Sequence, residues 1–173
     1  VAGHTSSFGA GSDDIYLVRT DASGEQVWTK TFGGTGFDAG YSIAPTADGG
    51  CITTGVRFSD YVGYSDVCLV KTDASGNQVG GDNIGWIGID IGRSVAQTGD
   101  GGYIIAGETD SYGAGERDVY LIKADANCHY VWHKVFGGVH MDVGRSVAQT
   151  GDGGFIVLGE TDPDGSDKPD MYL

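Results

Sequence analysis

One eleven-residue segment occurs twice in the chain at a fixed interval. The sequence GRSVAQTGDGG begins at Gly92 and again at Gly144, 52 residues later, and a weaker copy, GYSIAPTADGG, begins 52 residues earlier at Gly40. No insertion or deletion disturbs this period, which indicates one structural unit stacked on copies of itself. The chain is therefore a single repeat domain, 1–173, with repeats at 1–39 (partial), 40–91, 92–143 and 144–173 (partial).

Each repeat contains four short segments that are typical of β-strands. In the third repeat we predict strands at 93–98, 103–109, 118–124 and 129–136. These segments are rich in β-branched and aromatic residues, and the segments between them contain Gly, Asp and Asn, as in antiparallel hairpins. The 32 glycines of this 173-residue chain fit many tight turns. Because no segment has a helical period, the sequence predicts an all-β fold.

The repeats resemble the blade repeats of secreted and cell-surface β-propeller proteins of bacteria and archaea. The segments that carry the resemblance are GYSIAPTADGGCITTG, DVYLIKADANCHYVWHKVFGG and GRSVAQTGDGGFIVLGETD. Four strands in about 50 residues also fit one propeller blade. The resemblance implies a β-propeller of four-stranded antiparallel blades, about 3.5 of them in this chain, and an extracellular or cell-surface location. A β-trefoil, with four strands in each of three units, is the alternative fold.

The number of blades leads to an expectation about assembly. Propellers typically close with ~4–8 blades, so about 3.5 blades do not close a ring. The predicted strands begin with the second strand of one repeat and end with the third strand of another. We therefore expect this domain to be part of a larger propeller, completed by further blades or by another copy of the chain.

The charge of the chain excludes one class of partner. The net charge is -14 and the isoelectric point is about 4.3, so the surface repels nucleic-acid phosphates. No apolar segment approaches the length that spans a bilayer, so we expect no membrane insertion. The partners that the sequence leaves open are a glycan, a peptide or another protein.

Sequence variation between the repeats indicates where a ligand would bind. The short GDGG and DASG turns are nearly the same in every repeat and should lie on one face. The longer loops between second and third strands, and those between repeats, vary and should lie together on the opposite face. Loops on a rigid scaffold commonly carry binding residues.

We predict six binding residues in the loops between repeats. Aromatic rings there suit stacking on a sugar or a peptide, and carboxylates accept hydrogen bonds from hydroxyl or amine groups. In the alternative interpretation the aromatic residues fill space between blades, and the aspartates accept backbone N–H groups of their own loops. The six residues are Phe37, Asp38, Trp86, Asp90, His140 and Asp142.

The sequence contains no catalytic motif, and we predict no catalytic residue. The predicted function is a non-catalytic binding or assembly scaffold. The alternative is a propeller-type glycoside hydrolase or lyase that uses carboxylates of the central channel as acid and base. We predict no cofactor with certainty; a calcium site is the candidate, for which the segment DPDGSD offers Asp162, Asp164 and Asp167 but lacks the later glutamate of a calcium loop.

Three departures from the repeat pattern stand out. Repeat 2 has Gly80 where Trp28 and Trp132 stand in the other repeats, and Trp86 where the others have glycine. Pro45 replaces a glutamine, which predicts that the first strand of a repeat is an edge strand. Two cysteines of repeat 2, Cys51 and Cys68, are predicted to lie diagonally on one sheet face, as a disulfide or as two free thiols.

Overall fold

The computed structural model describes residues 2–58, 63–162 and 165, and the backbone of 170–172. These residues form fourteen strands and no helix. The strands are β1 (Ala2–Thr5), β2 (Asp14–Thr20), β3 (Gln26–Phe32), β4 (Asp38–Pro45), β5 (Cys51–Phe58), β6 (Ser65–Thr72), β7 (Gln78–Ile84), β8 (Asp90–Gln97), β9 (Tyr103–Thr109), β10 (Asp118–Ala124), β11 (Tyr130–Phe136), β12 (Asp142–Gln149), β13 (Phe155–Thr161) and β14 (Asp170–Tyr172). The all-β prediction is confirmed.

Four antiparallel sheets are formed, each by strands that follow one another in sequence. Sheet 1 has the order β1-β2-β3, sheet 2 β4-β5-β6-β7, sheet 3 β8-β9-β10-β11 and sheet 4 β12-β13-β14. In the third repeat the second and third strands have their predicted bounds, whereas the first strand begins at Asp90, three residues earlier than predicted. Each sheet therefore contains consecutive strands of one repeat and is stabilised by local hairpins.

A β-bulge explains why the first strands begin earlier than the pattern predicts. In β4, β8 and β12 the register shifts by one residue directly after a glycine, so that the pairing continues on both sides of the bulge. Opposite the bulge stands a glycine in each repeat. A Cβ atom on Gly55 would overlap the carbonyl oxygen of Ala39, and one on Gly107 would overlap that of Ile91. Only glycine fits here.

The sheets pack face to face, and each pair of sheets encloses its own apolar cluster. Ile15 and Leu17 of sheet 1 pack against Cys68 and Val70 of sheet 2. The clusters between sheets 2 and 3 and between sheets 3 and 4 have the same construction. Because burial is supplied by neighbouring sheets, each repeat depends on the next for its core.

The first strands of successive sheets are joined by a serine. Ser42 Oγ accepts a hydrogen bond from the backbone nitrogen of Val95 at 3.3 Å, and Ser94 Oγ accepts one from Val147 at 3.2 Å. Since these serines are 52 residues apart, the same bond is formed between sheets 2 and 3 and between sheets 3 and 4. Strands β4, β8 and β12 therefore lie side by side.

A glutamine adds a second bond between repeats. Gln97 Oε1 accepts the backbone N–H of Ala47, and Gln149 Oε1 accepts that of Gly99, both at 2.8 Å. Pro45 occupies the glutamine position in repeat 2 and lies at the end of β4, an edge strand of its sheet. The edge position predicted from this proline is confirmed.

Repeat 2 has Gly80 where other repeats have tryptophan, and a residue of the neighbouring repeat fills part of the volume that the missing indole would take. The indole of Trp28 donates a hydrogen bond to Ala74 O at 3.2 Å and lies against Gly76, where a Cβ would be 3.0 Å from the ring. At the corresponding contact between repeats 2 and 3, Gly80 stands in place of the tryptophan. The turn residue that corresponds to Gly76 is Cys128, which is fully buried and has a φ of 72°. The cysteine fills part of the volume that tryptophan takes elsewhere.

The cysteines of repeat 2 are free thiols. Cys51 lies opposite Thr72, and Cys68 lies opposite Gly55. This register differs by two residues from the diagonal arrangement predicted, so the two thiols are further apart along the strands than expected. Burial raises the pKa of the Cys68 thiol to about 12, which makes it unreactive.

Candidate functional site

The longer loops lie together on one face of the molecule, as the sequence predicts. Short parallel bridges join Asp13 to Phe37 and Ser65 to Ile89, and a Cβ on Gly115 would contact Val139. Each loop between repeats therefore lies against a loop between second and third strands. We call this surface the loop face; its described loop segments are 6–13, 33–37, 63–64, 85–89, 110–117 and 137–141.

The opposite face consists of short turns held by their own polar side chains. Asp48 accepts hydrogen bonds from the Thr46 hydroxyl and the Gly50 amide, and Lys71 lies 3.2 Å from its carboxylate. The Thr46 hydrogen bond, followed by that of Lys71, lowers the pKa of Asp48 to about 2. This face is a structural rim.

Trp86 is the most exposed of the predicted aromatic residues. Its side chain is 67% exposed, and that of the adjacent Ile87 is 63% exposed. By contrast, Phe37 is half-buried, with its ring centroid 5.7 Å from that of His4 and 5.6 Å from that of Phe58. Phe37 therefore fills space between loops, which is the alternative role stated above.

The three predicted aromatic residues of the loops between repeats do not form one cluster. His140 is half-buried beside Gly165, and no ring contact joins it to Phe37 or Trp86 among the described residues. The loop that contains His140 instead exposes its neighbours Val139 and Met141. The loop face therefore offers two separate exposed apolar pairs, Trp86 with Ile87 and Val139 with Met141.

The loop of Trp86 is fastened at both ends although its centre is exposed. Asp90 Oδ2 accepts the backbone N–H of Trp86 at 3.0 Å. At the other end the Asp110 carboxylate accepts the N–H of Ile89, and the Asp110 N–H donates to Ile89 O at 3.1 Å. A rigid loop holds the indole in one place, which lowers the entropy lost when a ligand binds.

The three predicted carboxylates are buried and bound to their own loops. Each accepts an N–H from the residue four positions before it: Asp38 from Gly34 at 2.7 Å, Asp90 from Trp86 at 3.0 Å and Asp142 from Gly138 at 2.8 Å. This geometry supports the loop-closing role that the sequence offered as the alternative. None of the three offers an exposed oxygen pair to a ligand.

Each of these carboxylates is paired with a second one across a glycine. The second carboxylate opens the third strand of the preceding sheet. A Cβ on the intervening glycine would lie 2.7, 2.6 and 2.6 Å from the first-strand carboxylate, and closer still to the other. We call these places junctions. Junction 1 contains Asp14, Gly33 and Asp38, junction 2 contains Asp66, Gly85 and Asp90, and junction 3 contains Asp118, Gly137 and Asp142.

The junctions differ in how they hold their negative charge. In junction 1 the Nε of Arg57 lies 2.8 Å from Asp38 Oδ1. In junction 2 the hydroxyls of Thr109 and Ser111 donate to Asp90. Burial raises the pKa of Asp90, and the pKa of Asp66 is raised by burial and by the charge of Asp90. Junction 2 therefore contains two carboxylates and no cation.

Only one of the three predicted calcium ligands lies among the described residues. Asp162 is described, and its backbone N–H donates to Met141 O at 3.0 Å. Asp164 and Asp167 lie outside the described residues. Within the described ranges no group of three or more His, Cys, Asp or Glu side chains could hold a metal ion.

The bulged residues of the first strands were not predicted from the sequence. These are Tyr41, Arg93 and Arg145, which stand beside the register shifts of β4, β8 and β12. The signal was present in the repeats themselves. Where the bulged residue is arginine, the residue fifteen positions later is glutamate, and where it is Tyr41 that residue is Val56.

Comparison with known proteins gives no family. Neither a protein-family model nor a curated protein matches this chain. In the described part of the chain no helix is long and apolar enough to cross a membrane. The function therefore has to be inferred from the chemistry of the loop face.

Proposed function

We propose that the four sheets are blades of a β-propeller. The support is that every sheet takes its strands from one repeat in simple up-and-down order, and that the first strands are joined side by side. A trefoil would pair strands of different repeats in one barrel, and no such pairing occurs among the described strands. Closure of the ring by further blades or by another copy of the chain is part of this proposal.

We also propose that the protein is a non-catalytic binding scaffold, located outside the cell or on its surface. The observation that carries this proposal is the pair Trp86 and Ile87, held more than half exposed on a fastened loop. An exposed indole stacks on the apolar face of a sugar ring or packs against a side chain of a peptide or protein. The exposed Asp110 beside this loop adds a hydrogen-bond acceptor.

The hydrolase or lyase alternative has no comparable support. An acid and a base must both reach the bond that is cleaved. The carboxylates that the sequence offered for this role, Asp90 and Asp142, are buried and engaged by loop amides. The burial of these carboxylates therefore favours the scaffold proposal over the enzyme alternative.

The other repeats show which residues this fold tolerates at the positions of Trp86 and Ile87. Repeats 1 and 3 have glycine at the position of Trp86, and repeat 1 has Thr35 at that of Ile87, so the variant Trp86→Gly/Ile87→Thr restores a loop type that this fold already contains. We expect binding to a defined glycan and peptide array to fall by about tenfold or more, because an exposed Trp anchor is removed.

A matched control removes apolar surface elsewhere. Val131 is also about half exposed but lies on the outer strand β11, so Val131→Thr should leave array binding unchanged. Binding that survives in Trp86→Gly/Ile87→Thr, or that is lost equally in Val131→Thr, would contradict the proposed site.

A further inference from the structure

The bulged residues of the three first strands form a row across the molecule. A bulge turns its extra residue out of the sheet and commonly re-aims a side chain near a functional site. Because β4, β8 and β12 lie side by side, Tyr41, Arg93 and Arg145 follow one another along neighbouring strands. Contact between them is direct in one case: Arg93 Cζ lies 5.0 Å from the centre of the Tyr41 ring.

One buried carboxylate is shared between two arginines in this row. Arg93 donates from Nε to Glu108 Oε1 at 3.0 Å and also from Nη2, and Arg117 donates from Nη1 to Glu108 Oε2 at 3.2 Å. Arg145 forms its own two-bond pair with Glu160. Among the described residues three guanidinium groups of this row are thus paired with two carboxylates, an excess of one positive charge in a chain with a net charge of -14.

The excess cation retains unused hydrogen-bond donors. A guanidinium carries five N–H donors, and Arg93 uses only those on Nε and Nη2. In the described part of the chain its Nη1 has no hydrogen-bond acceptor. The Arg93 and Arg117 side chains are each about a quarter exposed, at 26% and 29%, so solvent and ligands reach them.

The fold does not require these ion pairs. Repeat 2 has Tyr41 and Val56 at the positions of Arg93 and Glu108, and its sheet contains the same bulge with the same register. Buried or half-buried ion pairs are also weak contributors to stability, because desolvation offsets their attraction. The bulge and the register of the sheet therefore do not explain the shared glutamate and its two arginines.

We propose that Arg93, Arg117 and the Tyr41 ring form a binding site for the carboxylate group of a small ligand. The planar fork of arginine matches a carboxylate with two parallel hydrogen bonds, and the tyrosine ring supplies a flat surface for the rest of the ligand. The negative field of the whole chain opposes polyanions, so a ligand with a single charge fits best. This site uses neither the Trp86 nor the Ile87 side chain and does not depend on the scaffold proposal.

The direct test is an NMR titration of the arginine Nε–Hε signals in the full chain. The probes are glucuronate and N-acetylglycine, which carry the carboxylate on a sugar and on an amino acid, with glucose as the neutral match for glucuronate and inorganic phosphate as a different anion. We expect saturable shifts of the Arg93 signal with at least one carboxylate and none with glucose. A response to glucuronate alone assigns a sugar-borne acid, and a response to N-acetylglycine alone assigns a peptide-borne one.

Three variants separate binding from folding. Arg93→Tyr installs the residue of repeat 2 and leaves Glu108 paired with Arg117, so the excess charge disappears and we expect binding to be lost with the fold retained. Arg93→Lys keeps the charge but loses the fork, and should weaken binding about tenfold. Arg19→Gln removes an arginine from the opposite face and should have no effect.

Several results would overturn the proposal. These are the absence of a saturable shift with both carboxylates, an equal response to glucose, binding of phosphate alone, or an equal loss in Arg19→Gln. If Arg93→Tyr does not fold, Arg93→Lys decides the question, and unchanged affinity in that variant counts against the site.

Discussion

Junctions 1 and 2 have the same loop geometry, but of the two only junction 1 contains a cation among the described residues. In both, two aspartates approach each other across a glycine, and the first-strand aspartate closes its loop through one N–H group. Junction 1 adds the guanidinium of Arg57, whereas junction 2 adds the hydroxyls of Thr109 and Ser111. The position of Arg57 is that of Thr109 one repeat later.

This difference shows which part of the junction the fold needs. The loop geometry is kept in both places, so the carboxylate oxygen that accepts the loop N–H is the shared requirement. The compensating charge is not shared. In junction 2 burial raises the pKa of Asp90, and burial followed by the charge of Asp90 raises the pKa of Asp66. A recurring aspartate in this chain is thus a hydrogen-bond acceptor first and a charge second.

The largest effect should come from removing the cation of junction 1. Arg57→Met leaves the buried Asp38 beside Asp14 with no counter-charge. We expect the free energy of unfolding to fall by about 2 kcal/mol, below the full cost of breaking a buried pair because Arg57 is one-third exposed. Urea unfolding at pH 7 measures this loss.

The matched change in junction 2 is Thr109→Val, which removes one of the hydroxyls that reach Asp90. We expect a smaller loss of about 1 kcal/mol, since Ser111 and the Trp86 amide remain. An equal loss in the two variants would mean that Arg57 acts only as a hydrogen-bond donor, and the contrast between the junctions would fail.

A smaller effect, of opposite sign, is expected from neutralising the second carboxylate. Asp66→Asn removes the charge that repels Asp90 and keeps an oxygen that can accept an N–H, so unfolding should cost about 0.5 kcal/mol more at pH 7. Asp14→Asn should bring no such gain, because Arg57 already offsets the repulsion in junction 1. A gain in both variants, measured by thermal unfolding, would show that Arg57 does not screen its junction.

The gain from Asp66→Asn should depend on pH. The pKa of Asp66 is raised in the folded state, so the wild-type protein is penalised only once this group ionises. The contribution of Asp66 to the free energy of unfolding is fully present below its unfolded pKa of about 3.9. It is lost as the pH rises through the higher pKa of the folded state. The difference between the variant and the wild type should therefore vanish below about pH 3.9. A difference that grows toward low pH would contradict the assigned cause.

Much of this fold follows from the repeat, because turn residues and β-formers determine local hairpins. Most of the short turns have Gly at positive φ, as at Gly101, and the second and third strands of repeat 3 have the predicted bounds. The bulge was not predicted, since it depends on the close approach of Gly107 to Ile91 across two strands. Packing between repeats was not predicted either. The glycine at position 80 does not by itself indicate that Cys128 of the next repeat fills the space beside it.

The candidate site was predicted less well, and the reason is physical. The exposure of Trp86 follows from its place in a loop whose other copies have glycine. Phe37 has the same loop context, but the rings of His4 and Phe58 cover it, and those contacts join residues distant in sequence. Arg93 escaped notice because it lies inside the repeated motif, where its bulged position, rather than its identity, makes it accessible.

The serine and glutamine bonds between first strands have a consequence for how such a gene can change. The serine bond joins a side chain of one repeat to the backbone of the next, and it recurs after 52 residues. The glutamine bond joins a side chain to the backbone of the preceding repeat. The contact is therefore encoded within a single repeat and needs no matching change in another. Duplication or deletion of a whole 52-residue segment would place the same serine beside the same strand position of a new neighbour, so this bond does not fix the number of repeats.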